Sequence, residues 1–164
     1  MKISEKLERI INQQIANEFQ SAYIYLGMAA YYEGTPYKGF AKWMRLQAKE
    51  ETEHAEKFFN YLASRGGKIE LHAIEKVATE FENVVEPFQK AYEHEMRVTG
   101  WIHDIYELAV LEKDYETQEF LNYFVREQIE EEEQTLDFLE KLQMSLSHPT
   151  ALISLDAVAE SRAE

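Results

Sequence analysis

Apolar residues recur every three or four positions along nearly the whole chain, which is the period of amphipathic helices. One run extends from about Ser4, a plausible N-cap, to about Tyr32, and Glu33-Gly34-Thr35-Pro36 closes it. A second spans about Lys38 to Arg65, where Gly66-Gly67 offers a left-handed cap. After a connector of roughly fifteen to twenty residues, longer than the usual link between antiparallel helices, Asn83-Val84-Val85-Glu86 reads as a capping box for a third helix with Pro87 in its first turn. That helix is expected to end near Lys113, and Asp114 to cap a fourth running to about Ser145. Pro149 then opens a short apolar tail. No strand pattern, internal repeat or low-complexity segment competes. Two long helices, a long connector and two more long helices predict an all-α four-helix bundle with one crossover.

The inward stripes are interrupted by polar residues. On the first helix Ile11, Ile15, Ala22, Tyr25 and Ala29 form a row that contains Glu18. The second carries Phe40, Met44, Ala48, Ala55, Phe58 and Leu62, with Glu51 and His54 on the same face. On the third, Phe88, Ala91, Tyr92, Val98 and Ile102 surround Glu95; on the fourth, Leu121, Phe124, Val125, Phe138 and Leu142 flank Gln128 and Glu131. Each break lies near the midpoint of its helix, and midpoints of a bundle meet at one level. An ionised carboxylate there costs several kcal/mol unless something neutralises it. Glu18, Glu51, Glu95 and Glu131 would bring four negative charges, with His54 beside them, and two divalent cations would cancel them. Carboxylates with few imidazoles suit iron or manganese and disfavour copper(I). Glu51, central on its face, is the natural bridge between two ions. Gln128 adds a neutral hydrogen-bonding group, and Tyr25 lies two turns from Glu18, where its hydroxyl could reach the site or supply an electron.

Composition narrows the reading further. The chain has 164 residues, 45% of them apolar and 13% aromatic, which fits one globular domain over 1–164, with the bundle over about 4–145 and the last helix over about 149–162. A formal charge of −14 argues against nucleic acid and for attraction of cations. The absence of cysteine excludes disulfides, thiolate zinc sites and iron–sulfur clusters. With no apolar stretch long enough for a membrane span and no signal-peptide core at the start, a cytoplasmic protein is expected.

The run Glu50-Glu51-Thr52-Glu53-His54-Ala55-Glu56-Lys57, followed by Arg65-Gly66-Gly67-Lys68-Ile69, resembles the second helix of ferritins and the turn after it. Asn17-Glu18 with Tyr25, His94-Glu95 and Glu127-Gln128-Ile129-Glu130-Glu131 resemble the other three helices. The resemblance covers nearly the whole chain, including the short fifth helix. It implies a ferroxidase centre at Glu18, Glu51, His54, Glu95 and Glu131, with Gln128 and Tyr25 nearby. The reaction implied is oxidation of iron(II) by dioxygen or peroxide, followed by storage as ferric oxyhydroxide mineral. Two irons per centre are expected.

Departures from sister families sharpen this. The last long helix carries Gln128-x-x-Glu131 instead of a second Glu-x-x-His, and Thr52 stands where bacterioferritins place a haem-ligating methionine, so no haem is expected. Glu131 resembles bacterial and archaeal non-haem ferritins, in which a third iron site matches Glu50, Glu127, Glu130 and Glu131. Glu53 and Glu56 match carboxylates that line the mineral cavity, whereas Glu132 and Glu133 read as a solvated face. His72, His94, His103 and His148 are expected to have no metal role. The resemblance also implies a hollow homo-oligomeric shell of twenty-four subunits, with Leu152, Ile153, Leu155 and Val158 at four-fold contacts. At the three-fold pores Glu119 is paired with Asn122, so the acidic ring there is incomplete. Two alternatives stay open: a discrete di-iron oxidase acting on an organic substrate, and a structural bundle with a degenerate site.

Overall fold

The structure, a computed structural model, describes residues 2–163. It contains α1 (Glu5–Glu33), α2 (Lys38–Ser64), α3 (Glu86–Leu111), α4 (Tyr115–Ser145) and α5 (Pro149–Glu160), with no strand among the described residues. The fold is the expected four-helix bundle with a short C-terminal helix. Among the described residues no helix is long and apolar enough to cross a membrane.

The helix ends follow local chemistry. The Ser4 side chain accepts from Leu7 N, and that of Asp114 from Thr117 N, so each satisfies a backbone donor left over by the first turn. Gly66 takes φ +67°, and its N–H and that of Gly67 return to the carbonyls of Ala63 and Leu62 at 3.0 Å. α3 departs from expectation at both ends. Its N-cap is Val85; Asn83 Oδ1 accepts from the N–H groups of Val85 and Glu86, but the Glu86 carboxylate turns back to Glu82 N and not to Asn83. At its C-terminus Lys113 occupies the left-handed position (φ 56°) of a turn closed by Lys113 N to Val110 O and Asp114 N to Ala109 O, so the helix stops at Leu111.

The crossover 65–85 contains no helix, yet it is not loose. It runs antiparallel to α2 along the outside of α1, held by a ladder of side chains. Asn12 donates to Lys68 O and accepts from Glu70 N, both at 2.8 Å; Gln20 does the same to Glu75 at 3.2 and 2.6 Å. Tyr32 donates to Val84 O at 2.6 Å. Each side-chain amide replaces both hydrogen bonds a strand partner would supply. The chain therefore returns to the end where α2 began, and α3 runs parallel to α2.

The core divides into two apolar halves. One gathers Met28, Tyr32, Phe40, Trp43, Met44, Phe88, Phe138 and Leu142; the other gathers Leu7, Ile11, Phe58, Leu62, Ile102, Leu121 and Phe124. Burial of each such large side chain stabilises the fold by roughly 1.5–3 kcal/mol. Between the halves lies a polar level contributed by all four long helices.

α5 belongs to the first half. Leu152 and Leu155 are buried within the same chain, whereas Ile153 and Val158 are exposed. The N-terminus of α2 has no cap from its own N-cap residue, Tyr37; Asp156 of α5 supplies one, its Oδ1 accepting from Phe40 N at 2.9 Å. This approach requires glycine at 39, where a Cβ would lie 1.8 Å from Asp156 O. Gly39→Ala is therefore expected to undock α5 at a cost of about 1–3 kcal/mol of overpacking and about 1 kcal/mol of lost capping. Differential scanning calorimetry checks it, and an unchanged melting temperature would refute the docking account.

Candidate metal centre

Glu18, Glu51, His54, Glu95, Gln128 and Glu131 all come to the polar level, and each is 3% exposed or less. The heptad-like spacing of the stripes does this: each residue occupies a core position one or two turns from buried aromatic or aliphatic neighbours. One ligand atom from each of Glu18, Glu51 and His54 lies within 4.8 Å of the others, a span a single cation can close. His54 Nδ1 is 3.7 Å from Glu51 Oε2. Glu18 Oε1 accepts from Gln14 Nε2 at 2.7 Å, while Glu18 Oε2 and Glu51 Oε2 are buried with no hydrogen-bond partner. Two buried carboxylate oxygens without donors are costly as an end state and sensible as metal ligands.

Glu95 and Glu131 stand outside that group and are held from the side. The Tyr25 hydroxyl donates to Glu95 Oε1, and Gln128 Nε2 donates to Glu95 Oε2 at 3.1 Å. Glu131 Oε2 accepts from Gln47 Nε2 at 2.5 Å. Gln14 and Gln47 play no part in the sequence reading, because a glutamine on a helix is ordinarily a surface residue; burial at 2% and 0% marks them out. The one available signal is their placement four residues before Glu18 and Glu51, on the same helix faces.

The electrostatics modify the charge count made from sequence. Burial, then the neighbouring Glu51, pushes the Glu18 carboxyl well above its usual range; burial, then Glu95, does the same to Glu51. Glu95 is raised by burial against the hydrogen bonds from Tyr25 and Gln128, and Glu131 is pushed up to about 8 by burial, Glu95 and Glu50. Burial and the adjacent carboxylates also raise the Tyr25 phenol. Without a cation, burial and mutual repulsion shift all four carboxyls toward their protonated forms. A divalent ion entering this level displaces protons, so binding strengthens as pH rises.

A family model for the ferritin-like domain matches residues 8–145. The chain belongs to the ferritin family. Bacterial non-heme ferritin of Bacteroides fragilis (strain 638R) is 40% identical over 140 residues, covering 85% of this chain and 88% of that one. The Staphylococcus aureus (strain USA300) bacterial non-heme ferritin is 38% identical over 130 residues, covering 79% and 78%. Among solved structures, the open pore ferritin of the hyperthermophilic archaeon Archaeoglobus fulgidus superposes with a TM-score of 0.96 at 43% identity, over 98% of both chains. A humanized archaeal ferritin reaches 0.97 at 44% identity, over 99% of this chain and 100% of that one.

In this ferritin the residues outside the central level are less uniformly placed. Glu127, partly buried, has Oε1 4.0 Å from His54 Nε2. Glu50 is further out and ion-paired with Arg162 at 2.8 Å. Glu127, Glu131 and Glu50 all act on Tyr123, whose hydroxyl is raised by burial and then by these carboxylates, so the three share one corner. Glu130 is exposed on α4, and Glu53 and Glu56 are exposed on α2. Glu132 corrects the expectation of a solvated face: it is half-buried and accepts from Thr99 Oγ1 at 2.5 Å. Its neighbour Glu133 is exposed.

Of the remaining histidines, His72, His103 and His148 are exposed. His94 is buried, with Nε2 2.7 Å from Ser21 Oγ, and burial, followed by nearby Arg97, lowers it to about 4. Glu119 and Asn122 are joined by a 3.0 Å hydrogen bond on the surface of α4.

Proposed function

We propose that this ferritin oxidises iron(II) at the buried level between its four long helices and stores the product as ferric oxyhydroxide inside a hollow shell of twenty-four copies, in the cytoplasm. The observation that carries the reading is the pair of donorless oxygens, Glu18 Oε2 and Glu51 Oε2, facing His54 among carboxyls from the other two helices. Glu18, Glu51 and His54 take one iron(II), and Glu51, Glu95 and Glu131 a second, with Glu51 shared. Entry releases the protons these carboxyls hold. Two iron(II) ions give one electron each to dioxygen, which with two protons leaves as hydrogen peroxide; with peroxide as oxidant the same two electrons yield water. Tyr25 and Gln128 hold Glu95 from opposite sides and so keep one ligand in register while the ions exchange. Glu50, Glu127 and Glu130, with Glu131, form the third iron position, on the way from the centre to Glu53 and Glu56 and the mineral. The chain needs no haem for this chemistry.

The shell is supported by kinship. An open pore ferritin and a closed form engineered from the A. fulgidus protein both superpose on this chain at a TM-score of 0.96, so more than one pore arrangement is compatible with the subunit fold.

Analytical ultracentrifugation before and after aerobic addition of iron(II) tests the whole proposal. A large particle that gains mass without changing shape is the expected result. A dimer that oxidises only two irons per chain would replace the storage reading by that of a di-iron oxidase.

A further inference from the structure

Arg162 follows α5 and reaches back to the middle of α2. Its guanidinium donates to Gln47 Oε1 from both terminal nitrogens at 3.0 Å and to Glu50 Oε2 at 2.8 Å, and lies 4.5 Å above the centroid of the Trp43 ring. The partners are unequal in surroundings. The Arg162 side chain is 16% exposed and that of Glu50 39%, while Gln47 is wholly buried. Arginine has donors only, so it fixes which end of the Gln47 amide faces it: the oxygen turns to Arg162 and the NH2 turns to Glu131 Oε2. A single side chain thereby takes up one carboxylate directly and aims a donor at another. Both carboxylates belong to the corner that Glu127 also enters, and a metal ion there needs the same oxygen lone pairs that Arg162 and Gln47 now occupy.

We propose that Arg162 is a latch on this corner: it acts as the resident counter-ion of Glu50 and, through Gln47, orients Glu131, and a third divalent ion must displace it. This inference rests on the metal-centre reading above and adds to it a competitor carried by the chain itself. Arg162 lies two residues beyond α5, whose docking through Asp156 and Gly39 brings it to this corner. The latch bears on the second position as well, because Glu131, a ligand there, accepts from Gln47, whereas the first position is held by Glu18, Glu51 and His54. Arg162 is a positioning residue; it touches no reacting atom.

The test uses the assembled, metal-free protein and zinc(II), which binds without being oxidised. Calorimetric titration reads the number and affinity of sites, and fluorescence in a Trp101→Phe background reports on Trp43 alone. In the wild type, the third equivalent of zinc is expected to change Trp43 emission as the guanidinium leaves the ring. In Arg162→Gln that change is absent, and the third equivalent binds about threefold to tenfold more tightly, the range set by one charge-assisted pair at a half-exposed carboxylate. Arg162→Lys, which keeps the charge but loses the fork, falls between. A third-site affinity identical in wild type and Arg162→Gln, with the first two equivalents bound normally, would overturn the latch alone and leave Arg162 as a staple for α5. Failure of either protein to bind the first two equivalents would overturn the metal-centre reading, and the latch with it.

Discussion

Glu51→Ala is expected to lower the initial rate of aerobic iron(II) oxidation by at least about a hundredfold, because even partners that merely orient a metal ligand are worth ten- to a hundredfold. Glu51 meets every group of the centre: it faces His54, and Glu18, Glu95 and Glu131 act on its carboxyl. On the proposed assignment neither ion would then keep its shared ligand, and the two would no longer be held at the separation that a two-electron oxidation needs. The fold is expected to survive. The lost carboxyl is buried with a donorless oxygen, so removing it relieves a desolvation cost that offsets part of the cavity left behind. Stopped-flow absorbance of the ferric product, paired with a thermal melt of the metal-free protein, separates the two effects. A wild-type initial rate in a folded Glu51→Ala protein would refute the bridging role.

The second large effect is on stability against pH. Glu131 is pushed from 4.5 up to about 8, and Glu18, Glu51 and Glu95 are raised by the same burial. Above the unfolded value of 4.5 the native protein binds more protons than the unfolded chain, so stability falls as pH rises through the folded values. His94 opposes this at lower pH. Its folded value near 4 lies below the ordinary 6.5, so between those limits the unfolded chain binds the extra proton and stability rises with pH. The carboxyl effect is therefore isolated between pH 6.5 and about 8. Each proton retained there contributes about 1.4 kcal/mol per pH unit, equivalent to a drop of about 3–6 °C in melting temperature for a chain of this size. The metal-free protein is expected to lose several degrees across the window and the zinc-loaded protein to lose none, because bound carboxylates are already deprotonated. Glu131→Gln should flatten the metal-free curve. A metal-free melting temperature that stays level or rises from pH 6.5 to 8 would show that Glu131 is not held protonated across that window.

Much of the molecule is decided by local rules that can be read without coordinates. Helix limits at Ser4, Gly66, Asp114 and Pro149 come from capping geometry that depends on a few adjacent residues. The central level is likewise legible, since Glu18, Glu51, His54, Glu95, Gln128 and Glu131 each interrupt an otherwise apolar stripe at the middle of a helix, and a bundle has no other place for midpoints to meet. What sequence alone misjudged lies where an expected motif competes with another partner, near or remote. The Glu86 carboxylate leaves the expected capping box for Glu82 N, and Glu132 leaves solvent for Thr99.

Other features exist only because remote segments meet. The crossover is ordered by Asn12, Gln20 and Tyr32, polar residues whose partners lie more than fifty positions away and are backbone atoms, so no side-chain pattern announces them. The same holds for the upward shift of the carboxyls of the centre, which comes from four of them sharing one dry volume. It holds also for the line from Arg162 through Gln47 to Glu131. Periodicity along the chain records which face of a helix is buried; which polar group across the core answers another is set by helix packing, and only the tertiary structure holds that information.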